Sequence, residues 1–232
     1  MFIEDSRPLY DKSMECLLCK KTSTTKRVLS RFVKITKYDT DFCPIYDSTS
    51  TINALYYNIF VCPYCGFSYS EDFSRYFPPT TKEVIEEKIS SQWIPHHFSD
   101  ERSIKDAINT YKLASYCGSL KKEKHIILAG IYLRIAWLYR INQTSEQEKR
   151  FLKFALQEYE ASYSTGDFSG TQVSETRILY LAGDISKRIG NNKAAIKYFS
   201  MVFESKKSAR EASIIQMARD RLQEIKEESC TI

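Results

Sequence analysis

The chain has 232 residues, with 34 Lys and Arg side chains against 29 Asp and Glu, and 43% of its residues are hydrophobic. This length can bury a core in one large domain or in a small module joined to a larger one, and the seven glycines exclude a collagen-like or low-complexity protein. The net charge of +5 permits an acidic partner but demands neither nucleic acid nor a membrane surface.

Extended patterns dominate residues 1–79. Val, Ile, Phe and Thr are frequent in 26–38, as in β-strands, and 54–61 and 67–69 have the composition of a second and a third strand. A turn-rich loop, 39–53, joins the first two. We therefore expect a small β module in this part of the chain.

The sequence changes character after the two consecutive prolines at 78–79. A Thr-x-x-Glu pattern at 80–83 has the form of a capping box and predicts a helix that runs to about Trp93. We assign 80–100 to a helix and linker, and 101–232 to a helical domain.

Apolar residues recur at helical spacing throughout this helical domain, and it contains no proline after the linker. The periodicity predicts helices over 104–117, 125–141, 150–163, 173–189, 193–204 and 209–225.

A weak internal repeat runs through these helices. A small residue stands four positions before an aromatic one in the pairs Ala107/Tyr111, Ala155/Tyr159 and Ala195/Phe199. With Ala182 and Gly183, the last unit has the spacing of a tetratricopeptide repeat, in which small residues let two helices approach and an aromatic ring fills the groove. We expect an α+β fold, mostly α, with a zinc-ribbon-like β module followed by stacked antiparallel helical hairpins. An unrelated helical bundle is the alternative.

The cysteines and the apolar runs indicate the compartment. The longest apolar run, 126–133, is far shorter than the roughly 20 residues of a membrane-spanning helix, and acids rather than basic residues precede Arg7, against a secretory signal. Seven cysteines are an odd number, and four of them form two Cys-x-x-Cys pairs, which favours a metal over disulfides in a reducing compartment. We expect a cytoplasmic protein with no membrane association.

The two pairs predict a metal site. Two thiolates separated by two residues can face one ion from a tight turn, and Pro63 and Gly66 suit the second turn because they supply a fixed φ and a positive φ. Four soft sulfur ligands are typical of tetrahedral zinc. The predicted ligands are Cys16, Cys19, Cys62 and Cys65.

A closed set of four thiolates leaves no coordination position for a water molecule, so we expect structural rather than catalytic zinc. Iron is the alternative metal, because rubredoxins also combine Cys-x-x-Cys with Cys-Pro-x-Cys-Gly; here Lys20 follows the first pair instead of glycine. Cys43 can compete as a ligand, although burial beside Pro44 explains it more simply. We interpret Cys117 as a packing residue and Cys230 as an incidental thiol.

These residues resemble a bacterial family known as domain of unknown function 2225. The resemblance rests on the first cysteine pair, on 31–46 with its Asp-Thr-Asp triplet, on 57–67 around the second pair, and on 72–73. It implies a zinc-ribbon-like head on a tetratricopeptide-like body and implies no activity.

A basic segment, 20–37, carries seven positive charges and no acid, although 1–79 as a whole has ten basic and nine acidic side chains. Zinc ribbons often bind nucleic acid, and nearby aromatic rings can stack on bases. The alternative to a solvated strand face is therefore a nucleic-acid contact through Lys26, Arg27, Arg31 and Lys34.

Other polar residues have simpler explanations than chemistry. Asp39, Asp41 and Asp72 can form an acidic cluster near the metal, but turn and cap roles explain them equally well. The histidines, His96, His97 and His125, lack a third ligand at suitable spacing and are interpreted as solvated or capping residues. The chain has none of the common phosphate-loop, dinucleotide, metalloprotease or serine-hydrolase motifs, so we predict no enzyme.

The sequence thus predicts a non-enzymatic, zinc-binding adaptor or scaffold whose helical surface takes a protein or peptide partner. The alternatives are a nucleic-acid-binding zinc-ribbon protein that uses the basic segment and, with less support, a rubredoxin-like iron electron carrier.

Overall fold

The fold is described from a computed structural model, which covers residues 7–96, 98–205 and 211–230. The chain divides into two compact units: Met1–Tyr38 with Pro44–Glu123, here the head unit, and Asp39–Cys43 with Lys124–Ile232, here the helical unit. Seven α-helices and three two-stranded sheets occur in the described residues, which confirms the α+β, mostly α fold class.

All three sheets belong to the head unit and are antiparallel. Their strands pair β1 (Leu9–Glu15) with β2 (Thr22–Val28), β3 (Ile35–Tyr38) with β4 (Pro44–Tyr46), and β5 (Phe60–Val61) with β6 (Ser68–Tyr69). In the first hairpin, Leu9 faces Val28 and Glu15 faces Thr22. The turn between these two strands therefore contains the first cysteine pair.

Two of the predicted strands are wrong in extent. A 3₁₀ turn at Ser30–Phe32 divides the expected strand 26–38 into β2 and β3. Most of the expected strand 54–61 is a second 3₁₀ turn, Ala54–Tyr57, because the Asn53 side chain accepts a hydrogen bond from the Leu55 N–H at 3.0 Å and starts the turn. Strands β1 and β4 were not predicted; β4 lies within 39–53, which was expected to be a turn-rich loop, and pairs with β3.

The head unit also contains α1 (Thr81–Lys88) and α2 (Ile104–Lys121). The capping box expected at 80–83 is wrong, because Thr80 has a φ of +67° and its side chain makes no capping bond. Helix α1 is also shorter than expected and is followed by a 3₁₀ turn at Ser90–Gln92. A true capping box begins α2, where Ser103 and Asp106 bond to each other's backbone N–H groups.

The buried side chain of Arg102 binds backbone carbonyls in two loop regions of the head unit. The Arg102 guanidinium, 5% exposed, donates to the carbonyls of Phe98, Tyr56 and Ile59 at 2.8, 2.9 and 2.8 Å. Its backbone N–H donates to the Tyr57 hydroxyl at 3.2 Å. Burial lowers the pKa of Arg102 to about 10, and the carbonyls compensate the cost of burying its charge.

The helical unit has five helices: α3 (His125–Ile141), α4 (Ser145–Thr165), α5 (Glu175–Arg188), α6 (Asn192–Glu204) and α7 (Ala212–Cys230). Helices that follow one another along this part of the chain also pack on one another. All five correspond to predicted helices. No helix in the described part of the chain is both long and apolar enough to cross a bilayer.

Helices α5 and α6 pack closely at the predicted small and aromatic residues. A Cβ atom on Gly183 would lie 2.6 Å from Cε1 of Phe199, so only glycine fits there. Ala195 and Phe199 are completely buried. This packing is what the repeat pattern predicts, while the tetratricopeptide relationship stays a prediction.

The expected domain boundaries after residues 79 and 100 also stay a prediction. By its contacts, α2 belongs to the head unit.

Candidate metal centre

Two equivalent turns carry the four cysteines of the Cys-x-x-Cys pairs. In the first, the Cys16 N–H donates to the Lys21 carbonyl at 3.0 Å and the Lys20 N–H to the Cys16 carbonyl at 3.1 Å. In the second, the Cys62 N–H donates to Phe67 at 3.0 Å and the Gly66 N–H to Cys62 at 2.9 Å. The first turn connects β1 to β2 and the second connects β5 to β6. Each hairpin therefore presents two sulfurs at its end.

The four sulfurs converge. All lie within 4.8 Å of one another, with 3.7 Å between Sγ of Cys16 and Cys65 and 3.6 Å between Sγ of Cys19 and Cys62. A tetrahedral Zn²⁺ with Zn–S bonds of about 2.3 Å places its sulfurs about 3.8 Å apart. The cluster thus has the size to hold one metal ion. Cys16, Cys62 and Cys65 are buried, and Cys19 is partly exposed.

Hydrogen bonds among the thiols of the cluster shift their pKa values in opposite directions. Hydrogen bonds from Cys16 and then Cys65 lower the pKa of the Cys62 thiol to about 2, while the bond to Cys62 raises the pKa of Cys16 to about 12. Bonds to Cys16 and Cys62 raise the pKa of Cys65 as well. The cluster therefore favours one thiolate, at Cys62, among hydrogen-bonded thiols.

Trp93 supports the second turn, a role that the sequence did not reveal. Gly66 has a φ of +72°, and a Cβ atom there would collide with the Trp93 ring. The indole N–H of Trp93 donates to the Pro63 carbonyl at 2.9 Å. The glycine of Cys-Pro-x-Cys-Gly is thus required both by backbone conformation and by the close approach of an aromatic ring.

The other cysteines lie outside the cluster. Cys43 is buried in the helical unit, where burial and the neighbouring Asp41 carboxylate raise its pKa to about 12. Cys117 is buried in the head unit, and its sulfur accepts a hydrogen bond from the Ser68 N–H at 3.2 Å. The Cys230 side chain lies outside the described residues.

The three aspartates considered as an acidic cluster near the metal are not part of the site. Asp39 and Asp41 belong to the helical unit, where they pair with arginines and accept turn hydrogen bonds from Thr40 and Cys43. Asp72 belongs to the head unit. Within the described residues, the four cysteines are the one group of three or more His, Cys, Asp and Glu side chains able to share an ion.

The histidines have local partners. His96 packs edge-on against Phe98, with ring centroids 4.4 Å apart. His125 begins α3 as predicted, and its Nδ1 lies 2.6 Å from the Glu158 carboxylate. His97 lies outside the described residues.

The basic segment is partly neutralised within the head unit. Lys26 pairs with Asp11 at 2.8 Å, and Arg27 pairs with Glu71 at 3.0 Å. The Arg31 guanidinium lies 5.2 Å from the centre of the Phe32 ring. As nucleic-acid contacts, Lys26, Arg27, Arg31 and Lys34 stay a prediction.

Fold and site together define a mostly helical α+β protein whose head unit carries a four-cysteine cluster of the size to hold a metal ion. The model of the family described as "Uncharacterized protein conserved in bacteria (DUF2225)" matches residues 9–225, and the chain belongs to this family. This confirms the resemblance noted from the cysteine turns. No curated protein and no solved structure matches the chain significantly.

Proposed function

We propose that the protein is a non-enzymatic adaptor whose head unit is held together by a structural Zn²⁺ and whose helical unit binds a protein or peptide. The observation that carries the metal assignment is the convergence of four cysteine sulfurs within 4.8 Å from the ends of two hairpins. When bound, the ion supplies no chemistry beyond cross-linking these turns, since four thiolates complete a tetrahedral shell.

The small size of the sheets supports a structural role. The hairpin β1–β2 and the hairpin β5–β6 are each two-stranded, and an isolated two-stranded hairpin is marginally stable in water. A structural zinc ion contributes on the order of 10 kcal/mol or more to folding. The ion would thus stabilise a unit whose sheets cannot do so alone, in a reducing compartment such as the cytoplasm.

The architecture of the helical unit supports the binding role. Consecutive packed helices of a hairpin stack present an extended surface to peptides. The Gly183–Phe199 packing is the close helix approach that such stacks require.

Metal analysis of freshly purified protein tests the proposal. We expect a colourless protein with one zinc ion per chain by inductively coupled plasma mass spectrometry. A red protein that bleaches on reduction would identify an iron–thiolate centre and favour electron transfer. Protein that is folded and carries no metal would refute the assignment.

A further inference from the structure

A short segment of the chain is bound by the helical unit as a peptide is bound. Residues Asp39–Cys43, here the tip, connect β3 to β4 and are grouped by their contacts with the helical unit. The tip forms its own turn, in which the Asp39 N–H donates to the Cys43 carbonyl at 2.9 Å and the Phe42 N–H to the Asp39 carbonyl at 2.9 Å. Phe42 has a φ of +65°.

Both carboxylates of the tip are held by specific donors. Arg140 of α3 donates to Asp39 at 2.9 Å and to Asp41 at 2.6 Å, so one guanidinium spans the two acids. Arg188 of α5 pairs with Asp39 at 2.9 Å. The indole N–H of Trp137 donates to Asp41 at 2.9 Å, and Asp41 is completely buried.

The remaining groups of the tip are also bound. The Tyr180 hydroxyl donates to the Thr40 carbonyl at 2.8 Å, and Arg188 donates to the Thr40 hydroxyl at 2.7 Å. The Phe42 ring lies 4.0 Å below the Arg177 guanidinium and packs edge-on against Tyr180, with centroids 5.7 Å apart. Four consecutive side chains or carbonyls are thus recognised by α3 and α5.

The surface that contacts the tip carries positive charge, which complements the acidic side chains of the tip. Two acids remain on the surface when the tip carboxylates are left out. Glu148 pairs with Arg140, and Asp184 pairs with Arg188 and, at 2.7 Å, with Arg221. With Arg177 the surface is then net positive. Arginine, tryptophan and tyrosine are also the residues most enriched in binding hot spots.

We infer that Trp137, Arg140, Arg177, Tyr180 and Arg188 form a recognition site for turns of the type Asp-x-Asp-Phe, here the tip site. The chain's own tip occupies this site, and a partner protein with a segment of the same chemistry binds there by displacing it. The inference rests on the proposed binding role of the helical unit and specifies its partner.

A peptide titration tests the inference in the full-length protein. The probe is a fluorescein-labelled peptide of residues 36–46 with Cys43→Ser, followed by fluorescence anisotropy. In the variant Asp39→Asn/Asp41→Asn/Phe42→Ala, we expect binding at least about tenfold tighter than in the unchanged protein, whose covalently attached tip competes at high effective concentration. A peptide with both acids changed to Asn should not bind, and adding Arg188→Gln to the variant should weaken binding at least about tenfold.

Circular dichroism and metal content establish that the variants are folded. Should the triple variant not fold, Phe42→Ala alone, which keeps both carboxylates, replaces it. A folded variant that does not bind the peptide overturns the inference, but the proposed function survives if the protein still carries zinc and captures a partner elsewhere on its helices. A dimeric wild-type protein that the peptide converts to monomer would show that a second copy supplies the tip and would overturn the intramolecular assignment.

Discussion

Lys20 and Gly66 occupy the same position in two equivalent turns. Each N–H donates to the carbonyl of the first cysteine of its pair, and the φ angles are +63° and +72°. The two positions differ in surroundings, because the Trp93 ring covers Gly66. The absence of glycine after the first pair therefore does not argue against a metal site.

The two positions should respond differently to substitution. Gly66→Ala adds a Cβ that collides with Trp93 in a left-handed turn, and we expect a loss of about 2–3 kcal/mol in the free energy of unfolding. Lys20→Gly removes strain but adds unfolded-state freedom, so we expect a change below about 1 kcal/mol. Urea unfolding of the metal-loaded proteins measures both; equal effects would contradict the role of Trp93.

Serine substitution identifies the metal ligands. Cys62→Ser removes a buried ligand and should abolish stoichiometric metal binding, while Cys43→Ser should retain one ion per chain, because Cys43 belongs to the other compact unit. Metal content by mass spectrometry is the measurement. Chelation should also change the emission of Trp93, which can be observed alone in a Trp137→Phe background. Loss of metal from Cys43→Ser would show that the ligand set is wrong.

Two helical glycines provide a matched pair in the helical unit. Gly183→Ala forces a methyl group against the Phe199 ring and should cost about 1–3 kcal/mol. Gly130→Ala, in α3, meets only the movable end of the Arg134 side chain, and alanine should be neutral or stabilise the helix by up to about 1 kcal/mol. Thermal unfolding compares the two. A tolerated Gly183→Ala would remove the structural support for closely packed hairpins.

The tip makes the stability of the helical unit sensitive to acid. Burial alone would raise the pKa of Asp39, but Arg188, the Thr40 N–H and Arg140 outweigh it and lower the pKa. A lowered folded-state pKa stabilises the protein above the unfolded value, about 3.9, and this stabilisation is lost as pH falls through the folded value. We expect Asp39→Asn to destabilise the protein at pH 7 by about 1–3 kcal/mol, and to do so progressively less as the pH falls below the unfolded value and through the lowered folded value. Chemical unfolding across this pH range is the test, and a pH-independent effect would contradict it.

Nucleic-acid binding through the basic segment gives a separate test. Because Lys26 and Arg27 already pair with carboxylates, we expect weak binding to single-stranded oligonucleotides. Changing Arg31 and Lys34 to alanine should then have little effect. Tight binding that falls steeply with salt, and that disappears in these variants, would instead favour the nucleic-acid alternative.

The sequence predicts best those features that local spacing determines. The helices follow from apolar periodicity over 101–232, and the four-cysteine cluster follows from two Cys-x-x-Cys turns, because both signals lie within a few residues. The sequence pattern did not predict strand β1, because its sequence, LYDKSME, has few apolar residues and a mostly exposed face. Its pairing with β2 runs from Leu9 opposite Val28 to Glu15 opposite Thr22, next to the turn that carries Cys16 and Cys19.

Long-range pairs were beyond the reach of sequence patterns. Asp41 and Arg140 are 99 positions apart, and nothing in the local sequence of either predicts the other. Turn propensity explains Asp39 and Asp41 in part, since both accept backbone hydrogen bonds within the tip. Their arginine partners, like the Trp93 contact with the second turn, became visible only in three dimensions.

The position of the tip within the sequence sets an order of events during synthesis. The tip lies between Cys19 and Cys62, and all four sulfur ligands leave the ribosome before any residue of α3 to α7. If the cluster holds an ion as proposed, a nascent chain can bind it while the helices that receive the tip are still untranslated. The tip is translated before Arg140 and Arg188, so its carboxylates gain both arginine partners only after α5 has been synthesised.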